Sequence, residues 1–171
     1  MTTKDLSSYQ YSNIKLLVIV VPILFAIHNA EEYIADLPAW SYGNTGMDIY
    51  KSSDVFLLAI SILSFIVAMI SVMFYLRKTR LWLKAFSLVI TILGFNSVLH
   101  IISSIRYGAY TPGVITGLFL IFPLSVYYFY LLLKMNTLTK IQIGLIIFVG
   151  ALTMIPFAYG ALILSQYLLR I

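Results

Sequence analysis

Residues 28–37, HNAEEYIADL, place a histidine and two glutamates at the end of an apolar run, LLVIVVPILFAI. On a helix, residues at i, i+3 and i+4 share a face, so His28, Glu31 and Glu32 project together. The inverted metalloprotease motif H-x-x-E-H puts a general-base Glu at i+3 and a second metal ligand at i+4. HNAEE has the same spacing, with Glu in the last place. The spacing therefore predicts His28 and Glu32 as metal ligands and Glu31 as the general base on a bound water.

A second polar face lies on a later apolar run that contains His100, the other histidine of the chain, and Asn96 one turn before it. His28 follows Lys15 by 13 residues and His100 follows Lys84 by 16, which at about 1.5 Å per residue is about 20 Å and about 24 Å. Lipid cannot solvate polar faces, so two of them at one depth are expected to meet. His100 then completes a His2Glu set that suits a catalytic zinc. Asn96 is expected to orient a substrate carbonyl or support a ligand.

The elements that position these residues are predicted to be membrane helices. With 171 residues, 61% hydrophobic and 10% charged residues and a mean hydropathy of +0.99, the chain has more apolar surface than a soluble domain could bury. We expect an all-α polytopic membrane helix bundle forming a single domain over residues 1–171. The segment from Ile34 to Ser53 reads as a structured loop or short interfacial helix. Five runs have the length of a membrane-spanning helix, at residues 13–33, 54–76, 82–107, 112–134 and 141–169.

The basic residues predict the orientation and argue against nucleic acid as a partner. Eight Lys or Arg residues fall on the N-terminal side of the membrane and three on the other side, which places the N-terminus in the cytoplasm. This asymmetry accounts for the net charge of +5. Because cysteine is absent, any metal must be held by His, Asp or Glu. The eight are Lys4, Lys15, Arg77, Lys78, Arg80, Lys84, Lys134 and Lys140; the three are Lys51, Arg106 and Arg170.

The stretch TPGVITG predicts a helix start with Thr111 as N-cap and Pro112 at the first helical position. Gly113 and Gly117 form a small-xxx-small face that lets another helix approach closely. This face predicts packing against a helix of the same chain or of a second copy, in a homo-oligomer.

Two further polar residues lie near the same outer level. Thr116 is only about 6 Å from Pro112 along the helix, and it is a candidate to hydrogen-bond a substrate or a site carboxylate. Arg106 is a candidate to bind an anionic substrate group or to pair with Glu31, while snorkelling to the interface is the favoured interpretation.

The order of HNAEE on a first membrane helix, NSVLH on a later helix and then TPGVITG resembles the HXXEE-domain family of small integral membrane proteins. The resemblance extends over most of the chain. It implies a metal-binding or catalytic site at the family motif, which here falls on His28, Glu31 and Glu32. It does not name a reaction.

These observations favour a membrane-embedded enzyme that depends on zinc or another divalent transition metal. We expect a hydrolase or lyase reaction near the outer face, on a small amphiphilic or lipid-like substrate, in the plasma membrane of a bacterial or archaeal cell. One alternative is a proton- or ion-translocating protein that uses the same His and Glu cluster as a relay. Another is a haem-binding protein with His28 and His100 as axial ligands.

Overall fold

The computed structural model describes Ser12 and residues 14–170, and the regular structure of this part of the chain is helical. Five helices are long and apolar enough to cross a membrane, which indicates a multi-pass membrane protein and confirms the predicted fold class. Each begins and ends within two residues of its predicted bounds. Lys4 and Asn13 lie outside the described residues. The helices are α1 (Lys15–Ile34), α2 (Leu37–Thr45), α3 (Ser53–Arg77), α4 (Arg80–Tyr107), α5 (Val114–Met135) and α6 (Lys140–Leu169), all except α2 being spans.

Polar residues at the ends of the apolar runs fix where the helices start. The Ser52 hydroxyl accepts a hydrogen bond from the Val55 N–H at the start of α3. At the start of α6, Thr139 and Gln142 form a capping box. The segment between the first two spans contains the short helix α2, as predicted, and the Asp36 carboxylate caps it by accepting from Ala39 N–H. These caps satisfy backbone groups that the helix itself leaves unpaired.

Helix α4 is central to the bundle. It packs against α3, α5 and α6, while α1 packs against α3 and the first turns of α5. Gly150 of α6 allows a close approach to α4, because a Cβ at Gly150 would lie 2.5 Å from Cγ2 of Thr91. Toward the end of the bundle where α3 ends and α4 begins, the rings of Phe74, Phe86 and Tyr128 form a fully buried core. The polar side chains of interest lie toward the opposite end.

The first turn of α5 differs from the prediction. The helix begins at Val114 instead of Pro112, and Gly113 takes the N-cap position with φ of +89° and no side-chain cap. Thr111 is not the N-cap, and its hydroxyl is buried without a hydrogen-bond partner among the described residues. The prediction failed because α1 supplies the cap from outside: the Glu31 carboxylate accepts from the N–H groups of Ile115 and Thr116.

A wider, π-helical turn follows in α5 at Gly117–Ile121. Pro123 is the second residue after this turn, and a proline ring clashes with the carbonyl four residues earlier in a regular α-helix. The widening of the helix before Pro123 relieves that clash, and such turns are frequent at functional sites. Gly117 lies within this turn against α4, where a Cβ would be 3.5 Å from Cα of Ser97. The predicted close-packing face therefore serves contacts within the chain, and a homo-oligomer through it stays a prediction.

Candidate metal centre

Three buried side chains converge where α1 and α4 approach each other. His28 and Glu32 lie one turn apart on α1, and His100 comes from α4. The Nε2 atom of His100 lies 2.8 Å from Oε1 of Glu32, and the Nε2 atom of His28 lies 3.4 Å from the same oxygen. The two imidazole rings stand edge to face, with centroids 5.2 Å apart. The structure thus brings together the three residues that the sequence proposes as metal ligands.

These three residues present one ligand atom each, and the three atoms lie within 4.8 Å of one another. The ligands of a tetrahedral zinc with bonds of about 2.0 to 2.1 Å are about 3.3 Å apart. The two nitrogen-to-oxygen distances in the cluster, 2.8 and 3.4 Å, are close to that separation. Two imidazole nitrogens and one carboxylate oxygen also match the His2Glu donor set of catalytic zinc sites. The residues present therefore fit a metal ion of this class.

Neighbouring polar groups hold the two histidine rings in place. Nδ1 of His28 lies 2.7 Å from the Thr116 hydroxyl. When Nδ1 donates to that hydroxyl, Nε2 is left unprotonated, which is the form that binds a metal. Nδ2 of Asn96 lies 3.0 Å from Nε2 of His28 and 3.2 Å from Nε2 of His100. Thr116 and Asn96, both named from the sequence, thus contact the candidate ligands themselves.

Gly113 closes the cluster from the side of the loop before α5. A Cβ built on Gly113 would lie 3.0 Å from each of three atoms, Cγ of Glu32 and Cε1 of His28 and of His100. The positive φ of Gly113 brings its backbone against all three side chains. From the sequence, Gly113 was predicted only as a helix-packing residue, and its contact with the cluster was not predicted. The pair Pro112–Gly113 was the available signal of a turn at this point of the sequence.

Glu31, predicted as the general base, lies outside this group of three. Its Oε1 accepts hydrogen bonds from the Tyr110 hydroxyl at 2.8 Å and the Ile115 N–H at 3.1 Å. Its Oε2 accepts from the Thr116 N–H at 2.8 Å. A carboxylate at the free N–H groups of a helix is stabilised by the helix dipole. Glu31 therefore anchors the start of α5 to α1, and the role of general base stays a prediction.

Tyr110 completes this anchor from the loop between α4 and α5. Burial, together with the hydrogen bond to the Glu31 carboxylate, raises the pKa of Tyr110 to about 12. The phenol therefore keeps its donated proton to a higher pH than an ordinary tyrosine does. Tyr110 was not predicted, because a tyrosine in a short loop carries no spacing signal that connects it to Glu31, 79 residues earlier.

Arg106, unlike Thr116 and Asn96, has no hydrogen bond to the candidate ligands in the described part of the chain. It is exposed, and its guanidinium lies 5.6 Å from the centroid of the Tyr107 ring. The hydrogen bonds described for Glu31 come from α5 and Tyr110, so the structure does not show the alternative pairing of Glu31 with Arg106. A role in binding an anionic group stays a prediction.

A cavity of about 410 Å³ adjoins the cluster. Glu32, Asn96 and His100 line it, as do Thr111 and Asn29, which the sequence analysis did not select. Asn29 is buried and donates a hydrogen bond to the Ser64 hydroxyl of α3. The cluster therefore has space beside it for a ligand.

Comparison with known proteins identifies the family. The model of a family described as proteins of unknown function with an HXXEE motif matches residues 19–128, which is more than half of the chain. The chain belongs to the HXXEE family. The His of the motif is His28 and its two acids are Glu31 and Glu32, so the HXXEE motif supplies two members of the buried cluster. Searches of curated proteins and of solved structures gave no significant match.

Proposed function

We propose that this HXXEE protein is a membrane-embedded enzyme that binds zinc or another divalent transition metal through His28, Glu32 and His100. The reaction is of the hydrolase or lyase type, on a small amphiphilic substrate near the outer face. The observation that carries the proposal is the convergence of three buried ligand atoms, from two helices, beside a cavity. Ionisable groups within membrane helices usually mark a functional site.

Each residue around the cluster has a role in this proposal. His28, Glu32 and His100 would hold the metal, which when bound supplies Lewis-acid chemistry and an acidified water. Thr116 fixes the orientation of the His28 ring through Nδ1. A hydrogen bond of this kind, to the nitrogen that does not bind the metal, sets the tautomer of a metal-binding histidine and tunes the ligand. Asn96 contacts Nε2 of both rings, the proposed ligand atoms, so its amide would shift away from them when a metal binds. The enclosing helices exclude bulk water from the cluster, since the three residues are at most 8% exposed.

The proton relay remains a second candidate because Glu32 lies within reach of both histidines, forming a His–Glu–His chain. A relay across the membrane needs polar groups that continue inward. The cavity lining inward of Asn96 is apolar on α4, at Leu93, Ile92 and Val89. This favours the enzyme over the relay.

Haem is not part of this proposal. Axial ligation would require a macrocycle between the two Nε2 atoms. Asn96 Nδ2 lies 3.0 Å from Nε2 of His28 and 3.2 Å from Nε2 of His100, and Glu32 Oε1 lies 3.4 and 2.8 Å from the same two atoms. The two ring nitrogens are therefore too close to the same small side chains to leave room for a macrocycle between them.

Elemental analysis of the purified protein tests the proposal. The wild type should carry about one equivalent of zinc or another transition metal per chain. His28→Ala and His100→Ala should each lose it. Asn29→Ala is the matched control, since Asn29 is buried beside His28 but bonds to Ser64 outside the cluster. Absence of metal after reconstitution with zinc, or equal retention in all variants, would refute a metal site, and titration of the metal-free cluster would then test the relay.

A further inference from the structure

We infer that the substrate of this site is a single-chain amphiphile, whose polar group contacts the metal centre and whose hydrocarbon chain lies in the adjoining cavity. This inference rests on the proposed function and names its substrate class. Four features support it: a cavity lining that is polar at one end and apolar at the other, the length of the cavity, the unpaired hydroxyl of Thr111, and exposed residues that place an entrance on the lipid side.

The cavity is polar at one end and apolar at the other. At the outer end Glu32, Asn96 and His100 line it. Toward the inner end its walls are apolar side chains of α3 and α4, including Ile70 and Ala85. The volume of about 410 Å³ lies near the lower end of the range for small-molecule sites, about 300 to 1,000 Å³. That size suits one hydrocarbon chain better than two.

The apolar part has the length of one lipid chain. From Ala85 to Asn96 along α4 the lining extends over 11 residues, which is about 16 Å at about 1.5 Å per residue. The hydrocarbon core of a bilayer is about 30 Å thick and contains two layers of chains, so one chain extends over about 15 Å. With the predicted orientation, the polar end faces outward and the apolar end inward. A lipid in the outer leaflet is oriented in the same way, with its polar group outward and its hydrocarbon chain inward.

Thr111 supplies a contact for the polar group of the ligand. It is 2% exposed, it lines the cavity with Glu32 and His100, and its hydroxyl has no hydrogen-bond partner among the described residues. A buried hydroxyl without a partner is unfavourable, because it has lost its hydrogen bonds to water without gaining others. A carbonyl or hydroxyl of the bound amphiphile would satisfy it.

Two lining residues mark an entrance from the lipid phase. Leu99 of α4 and Phe157 of α6 line the cavity and are also 43% and 45% exposed. We therefore place the entrance between α4 and α6, where a membrane amphiphile can enter sideways without leaving the bilayer.

Photo-crosslinking tests the position of the chain. The probe is a monoacylglycerol with a diazirine at the methyl end of its chain, irradiated with the protein in nanodiscs of dioleoylphosphatidylcholine. Mapping by mass spectrometry should place the label at the inner end of the cavity, near Ile70 and Ala85. Ala85→Phe fills that end and should lose this label. Val72→Phe is the matched control, because Val72 lies at a similar depth but is 54% exposed on α3 and should keep it.

Ile70→Trp, from the opposite wall, replaces Ala85→Phe if that variant does not fold. Label confined to lipid-facing residues, or an unchanged label in both cavity variants, would overturn the inference. Zinc is measured in the same samples. Label at the inner end without zinc supports the single-chain ligand and refutes the metal, whereas zinc without such label refutes the ligand and leaves the metal site intact.

Discussion

Replacing Gly113 with alanine tests whether the loop before α5 holds the metal centre in shape. The residue has φ of +89°, a conformation that costs an L-residue about 1 to 2 kcal/mol. The new Cβ would also lie 3.0 Å from side-chain atoms of His28, Glu32 and His100, so these neighbours must give by a few tenths of an ångström. The rings cannot yield freely, because Asn96 contacts both of them.

Gly108 provides a matched control. Its φ is +60°, and a Cβ there would have no atom within 4 Å, so Gly108→Ala adds backbone strain alone. Both variants should lose about 1 to 2 kcal/mol of stability. Gly113→Ala should in addition bind zinc about 10- to 100-fold more weakly, the usual effect of disturbing the groups that support a metal ligand.

Zinc affinity is measured by competition with a chromophoric chelator, and stability by thermal unfolding, on the same detergent-solubilised samples. Equal zinc affinities in Gly113→Ala and Gly108→Ala would refute the argument that Gly113 shapes the site. A loss of zinc in both would trace the effect to the loop backbone instead of the new Cβ.

Three further predictions concern the anchor around α5. Thr116→Val removes the partner of His28 Nδ1 and should weaken zinc binding at least tenfold in the same chelator assay, whereas Thr116→Ser should retain it; equal affinities in the two would contradict the role of the hydroxyl. Glu31→Gln should keep about one equivalent of zinc by elemental analysis but speed hydrogen exchange at the Ile115 and Thr116 amides, and zinc loss would instead place Glu31 in the ligand set. In the phenolate absorbance difference between the wild type and Tyr110→Phe, Tyr110 should titrate near pH 12, and it should titrate lower when Glu31 is replaced by Gln. Because the folded state keeps this proton after an ordinary tyrosine has lost it, the contribution to stability is complete below about pH 10 and declines as pH rises toward 12; a difference signal that titrates near pH 10 would contradict the bond to Glu31.

The three members of the cluster could be predicted because a membrane helix has regular geometry. A constant rise per residue turns the positions of His28 and His100 into depths, and the shortage of polar partners in lipid then requires the two faces to meet. The apolar runs are equally informative about the helix ends, since Ser52 and Thr139 lie where the runs begin and act as caps.

The loop between α4 and α5 could not be predicted in the same way. Its contribution depends on backbone angles, and the φ of Gly113 is what turns it toward the cluster. The sequence TPG suggested a helix start with its own cap at Thr111. In the folded chain Glu31 takes that role from a distant helix, and a contact between residues 84 apart has no local sequence signal.

The two adjacent glutamates of the HXXEE motif do different work because of where they point. Successive residues on an α-helix are rotated by about 100°, so Glu31 and Glu32 lie on opposite sides of the line through His28. Glu32 turns toward His100 of α4, whereas Glu31 turns toward the start of α5. The contact of Glu31 with α5 also supports the cluster, because the segment that Glu31 anchors contains Thr116, whose hydroxyl contacts the ring of His28. The spacing alone gives this divergence but does not identify the helix that each glutamate faces. The contacts of Glu31 are those of a residue that positions a ligand, and its role as general base stays a prediction.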